Sequence, residues 1–261
     1  PEADLKLTQN TQPAILIVSY AIFTVLKKEF DYKLDDVKFF AGHSLGEYSA
    51  LLCANALNFN DALNLVFQRG KAMQEAVPVG EGGMLAVLGC TADQVTSFIS
   101  KVKFEGVCEI ANDNAKGQVI ISGDTKSIEE LKTILKINKK KAINLPVSAP
   151  FHSSLMSSAA NKMKIKINET KFNKPDFDII SNVTSLPTNN PLEIKNLLFE
   201  QIYSKVRWRE SILYMAQNEI NQFIEIGPGK VLTGLSKRIS PDTKSFCINT
   251  IDDIKNINNE S

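Results

Sequence analysis

Val37-Lys38-Phe39-Phe40-Ala41-Gly42-His43-Ser44-Leu45-Gly46-Glu47-Tyr48-Ser49 is the stretch on which the fold turns. Residues 37–42 read as a short apolar strand, and His43 to Gly46 reverse the chain. From Glu47 to Ala56 the residues Tyr48, Leu51, Leu52 and Ala56 recur at helical spacing. Gly42-x-Ser44-x-Gly46 at a strand-to-helix junction is the pattern that exposes a serine on a sharp elbow. Two glycines are expected to let strand and helix meet closely. The Leu45 N–H and the helix N-terminus then face the site where negative charge would develop on an attacked carbonyl.

Upstream, an apolar helix is expected over 13–29, with Pro13 in its first turn, where a missing N–H costs nothing. Its longest apolar run, Ala14 to Leu26, is broken by Ser19 and Thr24 and is shorter than the about 20 residues a bilayer requires. Downstream, a helix runs from Asp61 to about Ala76, capped by Asn60 and stopped near Pro78-Val79-Gly80.

Residues 80–147 change character. Met84–Leu88, Val107–Ala111, Gln118–Ser122 and Ala142–Val147 read as strands, with a turn at Asn112–Gly117. Thr91-x-x-Gln94 and Ser127-x-x-Glu130 open two capped helices, to about Lys103 and Ile137. The order βαββαβ is that of a ferredoxin-like unit. Beyond it come a helix at 153–167, a strand at 177–181, a loop at 184–190, and helices near 191–203 and 209–217. Strand Phe223–Ile226 follows, then a helix from Lys230 and a last strand near Phe246–Ile248. The expected architecture is α/β. A large unit, 1–79 and 148–261, carries a mostly parallel sheet with helices on both faces, and a small unit, 80–147, is inserted in it.

The chain has 261 residues, 43% hydrophobic and 23% charged, with a formal net charge of +1, so nothing points to nucleic acid or an anionic membrane. Lys139-Lys140-Lys141 reads as solvated surface, or as a dock for an acidic partner. Cys53, Cys90, Cys108 and Cys247 lack Cys-x-x-Cys spacing, and two histidines do not complete a zinc site with them. Reduced, mostly buried thiols are expected, which fits a cytoplasmic or organellar-stroma location. The opening Pro1-Glu2-Ala3-Asp4 has no signal-peptide character, and the missing initiator Met suggests a segment upstream.

A serine hydroxyl needs a base. Of the two histidines, His43 adjoins Ser44 and should diverge from it, which leaves His152, where the chain returns to the large unit. Arg69 falls on the apolar stripe Ala62, Leu65, Val66, Met73, Ala76. An inward guanidinium stays charged and needs an anion: an internal carboxylate, or a substrate carboxylate held by two hydrogen bonds.

With Gly42-His43-Ser44-Leu45-Gly46-Glu47-Tyr48-Ser49 the chain resembles the malonyl-CoA:acyl carrier protein transacylase family. Gln68-Arg69-Gly70-Lys71-Ala72-Met73-Gln74, Gly117–Gly123 and Gly227-Pro228-Gly229-Lys230-Val231-Leu232 resemble its other motifs, over Thr11 to about Ile239. The resemblance implies a hydrolase-like core with a ferredoxin-like insert. It also implies ping-pong transfer of malonyl from coenzyme A to the phosphopantetheine thiol of acyl carrier protein, supplying fatty-acid synthesis. No cofactor, metal, nucleic acid or membrane is implied. Ser44 would be the nucleophile, His152 the base and later the acid, and Arg69 the malonyl clamp. Leu45 would supply an oxyanion N–H, the carbonyl of Gln201 would orient His152, and Phe151 would exclude 2-methyl substituents. The family usually opens with a strand and Gly-Gln-Gly-Ser-Gln, whose Gln is a second oxyanion contributor. This sequence has no such motif, and reduced activity and stability are expected for it as it stands. The competing readings are a serine hydrolase or thioesterase, disfavoured by the charge at Arg69, and a non-catalytic fragment that binds carrier protein.

Overall fold

The computed structural model describes residues 1–147 and 149–260, with Ala3 and residues 258–260 by backbone alone. Residue 148, where the large unit is expected to resume, lies outside the described residues.

The N-terminal part runs α1 (Glu2–Leu5), α2 (Thr8–Lys28), β1 (Phe39–Ala41), α3 (Gly46–Cys53) and α4 (Phe59–Gln74). α2 begins five residues before Pro13, so the proline sits inside the helix and not in its first turn. Tertiary packing outweighs the lost backbone bond: α4 crosses α2 so closely that a Cβ on Gly70 would lie 2.6 Å from Gln9 Cα. The cap of α4 is Asn58 rather than Asn60, its side chain accepting from the Asp61 N–H at 2.9 Å.

Residues 82–144 form a four-stranded antiparallel sheet ordered β3-β4-β2-β5, from β2 (Gly82–Leu88), β3 (Cys108–Ala115), β4 (Gln118–Asp124) and β5 (Lys141–Asn144). α5 (Ala92–Ser100) and α6 (Thr125–Ile137) pack on it over a core of Leu85, Val87, Val119, Ile121, Leu131 and Leu135. The Thr91–Gln94 capping box is present in full. α6 is capped one turn earlier than expected, by Asp124, with Ser127 donating to that carboxylate through both N–H and Oγ–H.

The expected turn at Asn112–Gly117 is mostly strand. β3 continues to Ala115 through two register shifts, and only Lys116-Gly117 turn. Polar side chains that resemble turn residues are here buried for their partners. Asp113 meets Arg209 and Asn114 meets His43, while Asn112 forms a parallel bridge with Val206.

After a 3₁₀ turn at Ser154–Met156 come α7 (Ser157–Glu169), β6 (Asp178–Ile180), β7 (Pro187–Thr188), α8 (Pro191–Gln201) and α9 (Trp208–Gln217). β8 (Gln222–Ile226), α10 (Val231–Ile239), β9 (Lys244–Ile248) and α11 (Ile251–Glu260) complete the chain. β7, within the expected loop, pairs antiparallel with β6, and α11 has no counterpart in the sequence reading. β1 pairs parallel with β6, and β8 with β9. Outside the four-stranded sheet the described residues therefore form two separate sheets, β1-β6-β7 and β8-β9, where one was expected. Phe39 and Ala41 of β1 nevertheless share an apolar cluster with Phe223 of β8, built on Val206, Trp208, Ile212 and Leu235. The strands are mixed with helices throughout, an α/β fold. Among the described residues no helix is long and apolar enough to cross a membrane.

Candidate active site

The elbow follows from one steric fact. A Cβ on Gly42 would lie 2.0 Å from the backbone carbonyl of Gly46, so only glycine lets β1 run into α3 at this angle. Gly46 is different: a Cβ there would meet nothing, so one of the two glycines is demanded by packing and not both.

Ser44 sits at the tip with φ +55°, a left-handed conformation that serine adopts at a cost. Two distant side chains hold it. The Ser44 N–H donates to Asn182 Oδ1 at 2.7 Å, and the Ser44 carbonyl accepts from Gln201 Nε2 at 3.0 Å. Asn182 also donates to the Gly42 carbonyl at 2.7 Å, closing the elbow from outside. The Leu45 N–H has no partner among the described residues and stands at the start of α3.

His152 is 4% exposed and likewise left-handed, at φ +58°. Its Nδ1 is 2.9 Å from the Gln201 carbonyl and its Nε2 is 2.8 Å from Ser44 Oγ. A carbonyl only accepts, so Nδ1 carries the proton and Nε2 is left as an acceptor for the serine hydroxyl. Burial, then the charge of Arg69, push His152 down to about 3, opposed by the Gln201 carbonyl. His43 diverges as expected: its Nε2 lies 2.8 Å from Asn114 Oδ1 and its ring 5.6 Å from that of Trp208.

Arg69 is 1% exposed. Its Nη1 donates to Gln12 Oε1 at 2.7 Å, and its Nη2 to Ser44 Oγ and Gln201 Oε1, each at 2.9 Å. Its guanidinium lies 5.6 Å from the Tyr48 ring centroid. Among the described residues it forms no hydrogen-bonded ion pair, although the charge of Glu47 acts on it. The nearby carboxyl is Glu47, which instead accepts from Gln201 Nε2 and the Asn182 N–H. Burial pushes Glu47 up to about 7 against those hydrogen bonds and Arg69.

Ser44, His152, Arg69 and the Gln201 carbonyl thus converge, with Leu45 beside them. Phe151 is half-buried and packs against two apolar clusters, one including Tyr48 and Leu51 and the other Met84 and Ile120. Sequence reasoning missed Glu47, Asn182, Gln12 and the Gln201 side chain. Only Glu47 carried a signal: it is the one charged residue of a helix whose other positions, Tyr48 to Cys53, are apolar or small. Among the described residues no cluster of His, Cys, Asp or Glu could hold a metal ion.

Residues 1–244 match the family described as Acyl transferase domain. The chain is 44% identical over 247 residues to the malonyl CoA-acyl carrier protein transacylase of Bacillus subtilis, spanning 94% of this chain and 77% of that protein. It is similar to the crystal structure of acyl-carrier-protein-S-malonyltransferase from Bartonella henselae, with a TM-score of 0.96 and 42% identity, covering 100% of this chain and 83% of the other. A second structure, a type II PKS acyl-carrier protein in complex with its malonyl-transacylase, gives a TM-score of 0.96 at 36% identity, covering 100% and 84%. With its elbow serine, buried imidazole and buried guanidinium in one cluster, the chain belongs to the acyl transferase domain family, among the malonyl CoA-acyl carrier protein transacylases.

Proposed function

We propose that this chain moves malonyl from malonyl-CoA to the phosphopantetheine thiol of acyl carrier protein through an ester on Ser44. The observation that carries the proposal is a serine oxygen 2.8 Å from an imidazole nitrogen and 2.9 Å from a buried guanidinium whose hydrogen bonds among the described residues go to neutral acceptors. In the first half-reaction Ser44 Oγ attacks the thioester carbonyl as its proton passes to His152 Nε2. The Leu45 N–H and the start of α3 stabilise the oxyanion. Collapse breaks the C–S bond, and the coenzyme A thiolate leaves with the proton from His152. In the second, His152 takes the proton of the carrier thiol, the thiolate attacks the ester, and Ser44 Oγ departs reprotonated.

Arg69 holds the malonyl carboxylate. Pairing with that carboxylate also cancels part of the charge that depresses His152, so binding the correct acyl group makes the base stronger. A neutral acyl chain offers neither effect, which argues against a general hydrolase. Phe151 is read as the residue that limits bulk at the 2-position.

The remaining features are read with the family. Residues 80–147 form a ferredoxin-like insert, supported by the order β3-β4-β2-β5 with two helices, and residues 1–79 and 148–261 a hydrolase-like core. The thioester is substrate and no cofactor is required. A cytoplasmic or stromal location is consistent with four free cysteines.

Intact-protein mass after incubation with malonyl-CoA tests the proposal. A malonyl adduct should form on the native chain, disappear when holo acyl carrier protein is added, and be absent from Ser44→Ala. An adduct of equal yield on Ser44→Ala would sink the assignment.

A further inference from the structure

Glu47 is a buried carboxyl, 3% exposed, that the reaction above does not use. One of its oxygens, Oε2, accepts from two donors: Gln201 Nε2 at 2.7 Å and the Asn182 N–H at 3.2 Å. Those same two residues clamp the backbone of Ser44, Asn182 through the N–H and Gln201 through the carbonyl. Gln201 further holds Arg69 through Oε1 and His152 through its own carbonyl. The circuit is closed: one carboxylate oxygen fixes the two clamps that keep a left-handed serine in place.

Resting on the reading of Ser44 as nucleophile, we propose that Glu47, as a carboxylate, is a positioning residue that holds the strained elbow in its attacking geometry through Asn182 and Gln201. A carboxylate accepts charge-assisted hydrogen bonds about twice as strong as those to a neutral oxygen. It also fixes the Gln201 carboxamide with NH₂ toward Glu47 and carbonyl toward Arg69, because an anion rejects the carbonyl end. The charged or titratable groups facing Glu47 are Arg69 from α4 and Tyr48 of its own helix; α8 and the loop after β6 present only neutral amides.

The carboxylate form is costly to the fold. The folded value near 7 is above the unfolded one, so Glu47 contributes stability fully below about pH 4.5, and that contribution is lost as pH rises through about 7. A positioning role therefore separates from a structural one. Glu47→Gln should melt at or above the temperature of the native chain at about pH 8.5, yet react more slowly.

The experiment is rapid-quench mass measurement of malonyl loading by the native chain, Glu47→Gln, Glu47→Ala and Ser44→Ala. At about pH 8.5 the single-turnover rate should fall about tenfold in Glu47→Gln and about a hundredfold in Glu47→Ala, with half-saturating malonyl-CoA within about threefold of native. Between about pH 8.5 and 5.5 the native rate should decline to that of Glu47→Gln, which stays flat, since the neutral amide mimics the protonated acid. His152 stands at about 3 mainly through burial, which malonyl does not relieve, so cancelling part of the Arg69 charge still leaves it neutral in that window. Native-like loading in both variants, a loss confined to half-saturation, or an acid limb retained in Glu47→Gln would each overturn the proposal. Adduct on Ser44→Ala overturns the underlying assignment and is a distinct result.

Discussion

Arg69 is the residue whose chemistry was most exposed by its position and least determined by it. A guanidinium on an apolar helix stripe needs an anion, and spacing alone allows either an internal carboxylate or a substrate. Glu47 spends Oε2 on Gln201 and Asn182 and reaches Arg69 through charge alone, so the hydrogen bonds of Arg69 go to neutral acceptors, which supports the substrate reading proposed above. Truncating one partner of a buried charge pair costs about 2–5 kcal/mol. Arg69→Ala should therefore lower kcat/KM for malonyl-CoA by roughly one and a half to three and a half orders of magnitude. Acetyl-CoA should be affected far less, and Arg69→Lys should recover only part of the malonyl rate, since an ammonium lacks the fork. Steady-state kinetics with both thioesters check this, and equal losses for the two would mean that Arg69 is structural.

At the scale of elements, helix and strand types were legible because their signals are local: apolar spacing, a capping box, a glycine at the elbow. Boundaries and caps were less so. Asn58 and Asn60 are equally good cap residues by type, and only the backbone path into α4 selects Asn58. Asn58→Ala should lower stability by about 1 kcal/mol in thermal unfolding, while Asn60→Ala should leave it within about 0.5 kcal/mol. The two elbow glycines make a sharper pair. Gly42→Ala drives a methyl into the Gly46 backbone and should cost more than about 4 kcal/mol or abolish folding, whereas Gly46→Ala should keep the melting temperature. Calorimetry on both distinguishes them, and equal melting of the two variants would refute the steric account.

At the scale of the whole molecule, the four-stranded sheet is fastened along β3 to the segment that leads into α9. Val206 exchanges backbone hydrogen bonds with Ala111 and Asp113, and Arg209 reaches the Asp113 carboxylate, 1% exposed, through Nε and Nη2 at 2.9 and 2.8 Å. Both contacts are to Oδ2, and Asp113 Oδ1 is buried with no hydrogen-bond partner among the described residues, so Arg209 supplies the hydrogen bonds that compensate this charge. Arg209 is itself one-third exposed, which screens the pair. Arg209→Ala should thus destabilise by about 1–3 kcal/mol, and adding Asp113→Asn should restore part of the loss by removing the orphaned charge. Denaturant titration of the single and double variants gives the coupling; strict additivity would show that the pair does not act as a unit.

The sequence by itself determined the elbow, the types of most elements, and the identity of the nucleophile, base and guanidinium candidates. Each of these is written in a few consecutive residues, or in the scarcity of histidine. Only the tertiary structure decided that Asn112 to Ala115 extend a strand and that Pro13 lies within a helix. It alone decided that Ser44 is held by side chains 138 and 157 residues away. The physical reason is the same in each case. A polar residue's local preference is worth a few tenths of a kcal/mol to about 1 kcal/mol, and a buried hydrogen bond or ion pair to a partner distant in sequence is worth as much or more. Where such a partner exists, it overrides the local signal and leaves no trace in the neighbouring residues.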